Sequence, residues 1–584
     1  MQFRTGVVSV ITIAAALMAE SAHAQFNNQW VSFSNQTASR MNIAPTQVSS
    51  NNDEVDFGIG DLDKNGYPDV VAVRKQPNTS PGKRTNILLM NYNGVLTNKT
   101  AEFASATDVP GDNGFLTPTN DRDVVVVDVD GDGWLDFVTT IVISFGDPKH
   151  INHPRVYRNL GNDVNGNWLG MKFENGRIPQ LFVGATPTGA NACGIAAGDL
   201  TGDGWPDLYL VDYDNGEPAN QDLGDRLLVN DGNGFFTDET SSRMTPQQTS
   251  SAFGTAGHIV DLNLDGANDI VRSQNGSTTV IYNNPNNVGH FNLMQTPPSG
   301  AAYHVGVGDL NNDGRIDLAM GDDGSDNYTY NTGVDALGRV IWGPSKQYQF
   351  LAGGDDGFGN QMILEDFNGD GWRDVIQTDV DVDIGGCSRR THVYHNPGGA
   401  VGAQITLKEE RESASNAGWL GAVGLKSNDL TGGYNVMALD IDVDGDLDFI
   451  LGRCNGTFVW VNDGGDICQQ SVGFQGPGDA TLTCCGTGLG TGQTSTLSLS
   501  RVQPNSVAVL FASLSSSPIA LPQTGGTLAA FPIALTLSLP TSATGTLDLP
   551  VPGGFGAFSL YTQFVTPNGA GYEMSDCVRL DFQP

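Results

Sequence analysis

Positive charge is what this chain has least of. Lys and Arg number 29 against 65 Asp and Glu, a net of −36 at pH 7. So acidic a chain repels phosphate, which argues against nucleic acid as a partner and in favour of cations. Charged residues of either sign are also scarce, at 16%. Long apolar runs are missing after the first two dozen residues, so no transmembrane segment is expected in the mature chain. Catalytic signatures are missing as well. There is no HExxH, no GxSxG and no phosphate-binding loop, and no catalytic residue is assigned. Cysteines are few, seven in all: Cys193, Cys387, Cys454, Cys468, Cys484, Cys485 and Cys577. An odd count leaves at least one unpaired within a monomer, and sequence does not fix the pairing.

Glycine (75) and proline (28) are abundant, and apolar residues make up 39%. That profile suits a turn-rich β protein with a packed core. The first residues read as a signal peptide: Arg4, an apolar run over 7–19, and Ala22-His23-Ala24 before Gln25. Residues 1–24 are therefore expected to be removed on export. The mature chain is expected to be secreted, extracellular or at the cell surface, with the periplasm as a further possibility. Export permits disulfides.

One nine-residue pattern, D-x-[DNT]-x-[DN]-G-x-x-D, occurs seven times, at intervals of 48 to 74 residues. The copies are DLDKNGYPD (61–69), DVDGDGWLD (128–136), DLTGDGWPD (199–207), DLNLDGAND (261–269), DLNNDGRID (309–317), DFNGDGWRD (366–374) and DIDVDGDLD (440–448). Repeats of this kind are the first thing to seek in a chain. Calcium takes six to eight oxygens, and alternate side chains followed by a glycine turn can converge on one ion. Positions 1, 3, 5 and 9 are the expected ligands. They are Asp61, Asp63, Asn65 and Asp69; Asp128, Asp130, Asp132 and Asp136; Asp199, Thr201, Asp203 and Asp207; Asp261, Asn263, Asp265 and Asp269; Asp309, Asn311, Asp313 and Asp317; Asp366, Asn368, Asp370 and Asp374; Asp440, Asp442, Asp444 and Asp448. Up to seven Ca2+ sites follow, with Thr201 marking the weakest. Without a cation, carboxylates crowded this closely repel by about 1 kcal/mol per pair at ~4 Å in water. Magnesium suits a loop built only from protein oxygens less well. The loop resembles the EF-hand in logic, but strand-like segments flank it, so it joins antiparallel strands.

Between the loops recurs a strand ending in Asn and a Gly-rich turn, as in RVYRNLGN (155–162), RLLVNDGNGFF (226–236) and FVWVNDGG (458–465). Two hairpins per period make four strands, one propeller blade. WVSFSNQTASRM (30–41) resembles FFTDETSSRM (235–244). It precedes the first loop and has no counterpart after the last, so it is expected to complete the last blade and close the ring. On these residues, with GIGDLDKNGYPDVVAV (58–73) and GVGDLNNDGRIDLAMG (306–321), the chain resembles the FG-GAP/VCBS repeat family. That resemblance implies an integrin-α-like seven-bladed β-propeller with calcium loops and a binding role, in a secreted bacterial setting. It departs from the integrin pattern in carrying a loop in every repeat and no stalk.

From residue 466 onward there is no Lys, no His and no such loop. Alternating strands split by Gly and Pro read as a small β-sandwich, which Cys468 with Cys484, Cys485 or Cys577 would staple. The expected fold is thus all-β: a propeller over 25–465, then a C-terminal β-sandwich over 466–584. His150, His153, His392 and His395 are read as ordinary core or surface residues. The aromatics at loop position 7 (Tyr67, Trp134, Trp205, Trp372) are expected to pack between blades rather than form a sugar-stacking stripe. The function expected is a binding or adhesion module for an unidentified extracellular protein or polysaccharide. A propeller-based polysaccharide lyase or hydrolase is the alternative, and a purely structural envelope protein a third. An enzyme would need acid/base residues converging at the central channel, and the sequence displays none.

Overall fold

The structure is a computed structural model. It describes residues 29–42, 54–75, 83–144, 146–213, 222–250, 254–274, 276–298, 302–322, 324–349, 359–379, 389–409, 421–423, 430–462, 480–486, 489–491, 494–521, 526–542, 545–568 and 571–582, with single residues 357, 425, 469, 472 and 474. The expected signal peptide lies outside them, as do Cys387 and Cys468. The chain divides into two compact units. One spans Ser32–Val443 and Leu447–Asn462, and the other holds Asp463–Pro584 with short additional pieces.

The first unit contains seven sheets of four or five strands, each built on the same antiparallel core; in two of them a short outer strand, Met41–Asn42 or Ala106–Thr107, joins in parallel. An innermost strand leads into the acidic loop, and the loop leads into a second strand. Glu54–Gly60 pairs with Asp69–Lys75, Asp121–Val127 with Asp136–Ile141, and Ala192–Gly198 with Asp207–Asp212. Gly254–Val260, Ala302–Gly308, Gly359–Glu365 and Gly433–Leu439 begin the other four blades. The second strands are buried almost throughout, as near-continuous apolar runs such as DVVAV and DLYLV require when both faces are covered. Consecutive innermost strands lie side by side, and the seventh returns to the first. The close approach dictates residue choice: a Cβ on Gly198 would lie 2.7 Å from Ile259 of the next blade, and one on Gly306 would lie 2.7 Å from Leu364. The N-terminal strand Gln29–Asn35 pairs with Gly456–Asn462 of the last blade, Phe33 opposite Asn462. The ring is closed by chain ends widely separated in sequence, which removes open sheet edges.

The second unit is a sandwich of two sheets. Thr481–Gly486, Thr494–Ser500 and Leu547–Pro552 form one, while Leu535–Pro540, Val507–Ser513, Phe558–Asn568 and their neighbours form the other. Leu482, Leu497, Leu499, Leu510, Leu549, Phe564 and Leu580 fill the space between them. Thr494–Ser500 alternates exposed and buried side chains as a two-sided strand does. The expected staple through Cys577 is not present. Cys577 is a buried free thiol, and burial pushes it up to about 12. Cys454, by contrast, is disulfide-bonded. No helix among the described residues is long and apolar enough to cross a membrane.

Candidate metal loops and the central channel

The seven acidic loops share one backbone shape. Position 6 is glycine with φ between 80° and 102° in every copy, and position 4 is also left-handed, with φ between 57° and 77°. Side-chain oxygens lock the turn. The position 1 carboxylate accepts from the position 6 amide at 2.7–2.9 Å in six loops. The position 5 oxygen accepts from the position 7 amide at 2.8–3.0 Å in all seven. Short polar side chains that bond their own backbone in this way favour turns.

Position 4 is glycine in three loops, but Leu264 and Val443 hold it in two others. A β-branched residue at left-handed dihedrals costs about 1–2 kcal/mol, and Val443 is 51% exposed, so little packing offsets it. Val443→Gly is expected to raise stability by about 0.5–1 kcal/mol after the entropy of glycine is deducted, while Val443→Ala gives no such gain. Urea midpoints check both. A Val443→Gly variant less stable than the parent would contradict the strain.

Position 9 carries a second task that the sequence does not reveal. In all seven loops one oxygen of this buried Asp accepts from the position 2 amide at 2.8–3.3 Å. The other accepts from the amide of the Asn that ends or follows the third strand, at 2.6–3.0 Å. That Asn then reaches across to the preceding blade. Its side-chain amide donates to the position 2 carbonyl there at 2.8–2.9 Å: Asn91 to Ile441, Asn159 to Leu62, Asn230 to Val129, Asn283 to Leu200, Asn331 to Leu262, Asn396 to Leu310 and Asn462 to Phe367. Seven identical hydrogen bonds thus run around the ring and tie each loop to the next.

The structure gathers carboxylate oxygens of positions 1, 3 and 9 within 4.8 Å of one another in three loops: Asp61, Asp63 and Asp69; Asp128, Asp130 and Asp136; Asp440, Asp442 and Asp448. These groups can hold a metal ion. The position 5 carboxylates Asp132 and Asp444 are not in these groups. In the other four loops, position 3 is Thr201, Asn263, Asn311 or Asn368. In two of these the Asn side chain donates to the position 5 carboxylate, Asn263 to Asp265 at 3.0 Å and Asn368 to Asp370 at 3.1 Å. An amide proton there supplies part of the attraction that a cation would supply in the acid-rich groups.

Position 3 is the test of fit. Asp130 gives one oxygen to Arg177 at 3.3 Å, and Asp442 gives one to Arg40 at 2.5 Å. Their other oxygens, and the Thr201 hydroxyl, are buried with no hydrogen-bond partner. A buried acceptor left unmet is costly. Three loops therefore leave an oxygen unmet at the same position, beside carboxylates whose repulsion a cation relieves. The residues fit a hard cation bound by oxygen. Arg40, Arg177 and Arg243 escaped the sequence reading, although the recurrent SRM of TASRM and TSSRM signals Arg40 and Arg243. Arg40 lies behind loop position 3, and Arg243 binds the Gly289 carbonyl at 3.2 Å, where a Cβ on Gly289 would lie 3.3 Å from Thr201.

Burial, with the neighbouring loop acids adding to it, pushes the position 9 carboxyls up: Asp69, Asp269 and Asp317 to about 8, Asp136 to about 7 and Asp207 to about 6. In metal-free protein these groups keep protons in the fold that the unfolded chain releases near pH 4. Their stabilisation is complete below that pH and is lost as pH rises through 6 to 8. Metal-free protein is therefore expected to melt higher at pH 5 than at pH 8. Melting curves in metal-free buffer check this, and a higher melt at pH 8 would contradict it.

Two of the four aromatics at position 7, Trp134 and Trp205, reach a neighbouring loop, whereas Trp372 lies against Gly398 of its own blade. A Cβ on Gly131 of the preceding loop would lie 2.3 Å from the Trp205 ring, and Lys64 Nζ sits 4.2 Å over Trp134. Trp205 keeps 36% of its surface exposed.

Two further clusters were not visible in the sequence. His392, read there as ordinary, is buried with Nε2 3.3 Å from Asp379 and Nδ1 3.2 Å from Glu409, and it forms a possible metal group with Asp326 and Asp379. Glu409 is held down to about 2, because His392 and Arg390 outweigh its burial. The second cluster lies in the central channel, where the sequence displayed no acid/base group. Five residues before the first Asp of each loop, the innermost strands place Asp56, Asp123, Gly194, Ala256, His304, Gln361 and Asn435 at equivalent positions. Asp56 contacts Arg122 at 3.4 Å and Asn435 at 2.7 Å. Burial and then Asp123 raise Asp56 well above the usual range, and burial raises Asp123 to about 6.

Residues 61–139, 199–271 and 261–320 match the FG-GAP-like repeat family. These stretches are FG-GAP-like repeats, and the sheets they form are blades of a propeller of that kind. No curated protein matches the sequence. Among solved structures, Trypanosoma rangeli sialidase with the inhibitor DANA is 9% identical with a TM-score of 0.31, covering 83% of this chain and 94% of the sialidase. The same enzyme with sialic acid is 10% identical with a TM-score of 0.33, covering 86% and 93%. Similarity at that level says nothing about activity.

Proposed function

We propose that the chain is an exported, calcium-loaded propeller that binds an extracellular protein or polysaccharide at the cell surface, with the metal in a structural role. The observation that carries the reading is the unmet buried oxygen at loop position 3, beside carboxylates already held in a rigid turn. Calcium is favoured because the loop offers protein oxygens alone, at flexible geometry. Its role is structural because the same residues that surround the ion also fix the inter-blade hydrogen bonds. Rigid loops then present neighbouring side chains, Trp205 among them, as a recognition surface. A second reading, a polysaccharide lyase or hydrolase, is supported by the buried Asp56 and Asp123 pair in the channel.

Mature chain incubated with a panel of polysaccharides and envelope fractions, in calcium and in chelator, separates the two. Calcium-dependent retention without released fragments supports the binding module. Released fragments, abolished by Asp123→Asn, would replace it with the enzyme. No retention on any fraction in calcium would overturn both.

A further inference from the structure

A cavity of about 300 Å³ lies in the middle of the ring, and all seven innermost strands contribute to its wall. Its polar lining is Asp56, Arg122, Asp123, Thr255, His258, His304 and Gln361. Two carboxylates stand there against one guanidinium. Arg122 lies 3.4 Å from Asp56 and 5.2 Å from the Tyr434 ring centre, and Asp123 accepts from the amides of Val124 and Ile195 at 2.7 and 2.9 Å.

The imidazoles add acceptors, not charge. His258 Nε2 lies 2.7 Å from the Val305 carbonyl, so that nitrogen carries the proton and Nδ1 is left as a lone pair. His304 is only 5% exposed, and its Nδ1 has no hydrogen-bond partner. Gln361 lies beside the same ring; with the His304 proton on Nε2, Nδ1 is an acceptor. Burial holds both imidazoles in the neutral form. Asn435, whose amide donates to Asp56, keeps a buried carbonyl oxygen with no partner. Asp123 pushes Asp56 up although Arg122 stands beside it, so the two acids repel across a single guanidinium, and the buried His304 Nδ1 has no partner. Such groups are costly unless something supplies hydrogen and positive charge.

We propose that this central cavity binds a small organic cation, a protonated primary amine of about the size of an amino sugar, through its N–H donors. The amine places its ammonium between Asp56 and Asp123 and offers a further donor to His304 Nδ1. A volume of about 300 Å³ is at the lower end for small-molecule sites. That volume matches a single small ring, so this proposal is separate from the surface recognition proposed above and does not depend on it.

The test uses the mature chain in saturating calcium, which keeps the amine from acting at the acidic loops. Calorimetric titration with glucosamine is compared with glucose, the same skeleton without the ammonium, and with putrescine, an amine of different shape. One saturable site for an amine and none for glucose is the expected result. Asp123→Asn is expected to weaken amine binding about thirtyfold or more. In parent protein the His304 ring resonances shift on amine addition, a readout that needs no variant to fold. Equal binding of glucose and glucosamine would overturn the proposal. So would no binding of either amine at concentrations on the order of 10 mM, or an Asp123→Asn variant that melts like the parent and binds unchanged. Loss of calcium binding at the loops is read separately, by metal content, and leaves this outcome independent.

Discussion

Stripping divalent cations from the mature chain is expected to lower its melting temperature by about 10 °C or more. An ion at a hundredfold excess over its Kd stabilises by about 2.7 kcal/mol per site. The three loops with Asp at position 3 thus contribute about 8 kcal/mol together. Unfolding entropy of about 2 cal/mol/K per residue over roughly 400 residues gives near 0.8–0.9 kcal/mol/K, so three sites correspond to about 10 °C. Occupancy of all seven approaches about 20 °C by the same arithmetic. Calorimetric scans in calcium and in chelator read the shift directly. A melt unchanged by chelator would mean that the loops hold their shape through hydrogen bonds alone. The order of the single-loop effects is fixed too. Asp130→Ala is expected to remove most of one site's contribution in calcium and little in chelator, where Arg177 is the main partner lost.

Asp136→Ala is expected to cost about 4 kcal/mol with or without calcium. This side chain is fully buried, and its oxygens hold the amides of Val129 and Asn159 at 3.0 and 2.6 Å. Truncation strands two buried donors at about 1–3 kcal/mol each. It also frees Asn159, whose side chain links this blade to Leu62 of the preceding one at 2.8 Å. Asp128→Ala provides the contrast, because the amides it caps, Gly131 and Gly133, are solvent-exposed and can turn to water. In chelator the two variants are expected to differ by about 2 kcal/mol or more. Urea denaturation of the parent and both variants measures this. Equal costs would show that position 9 acts only as a metal ligand.

The contrast between positions 9 and 3 also marks where the sequence was legible. Seven copies of one motif, each leading from one strand into the next, dictated strand, turn and strand, because a glycine and short polar side chains fix such a turn locally. The closing strand was legible in the likeness of residues 30–41 to 235–244. The Asn after each third strand was visible as a recurrence, but its role was not, since its partner lies on the preceding blade and two chemistries share the same carboxylate. The channel cluster is hidden for a related reason. Asp56, Asp123, His258 and His304 come from four blades, and their spacing acquires meaning only when the innermost strands are aligned by their loops. His392 was set aside on spacing to His395, whereas its partners Asp379 and Glu409 lie on the strands beside it.

The most direct measurement is the calcium content of mature protein equilibrated against trace free calcium and analysed by atomic emission. Three to seven ions per chain are predicted: at least the three acid-rich groups and at most all seven loops. The Asp61→Ala, Asp128→Ala and Asp440→Ala variants are expected to lose about one ion each. A parent protein that retains less than one ion per chain would contradict the account at its centre.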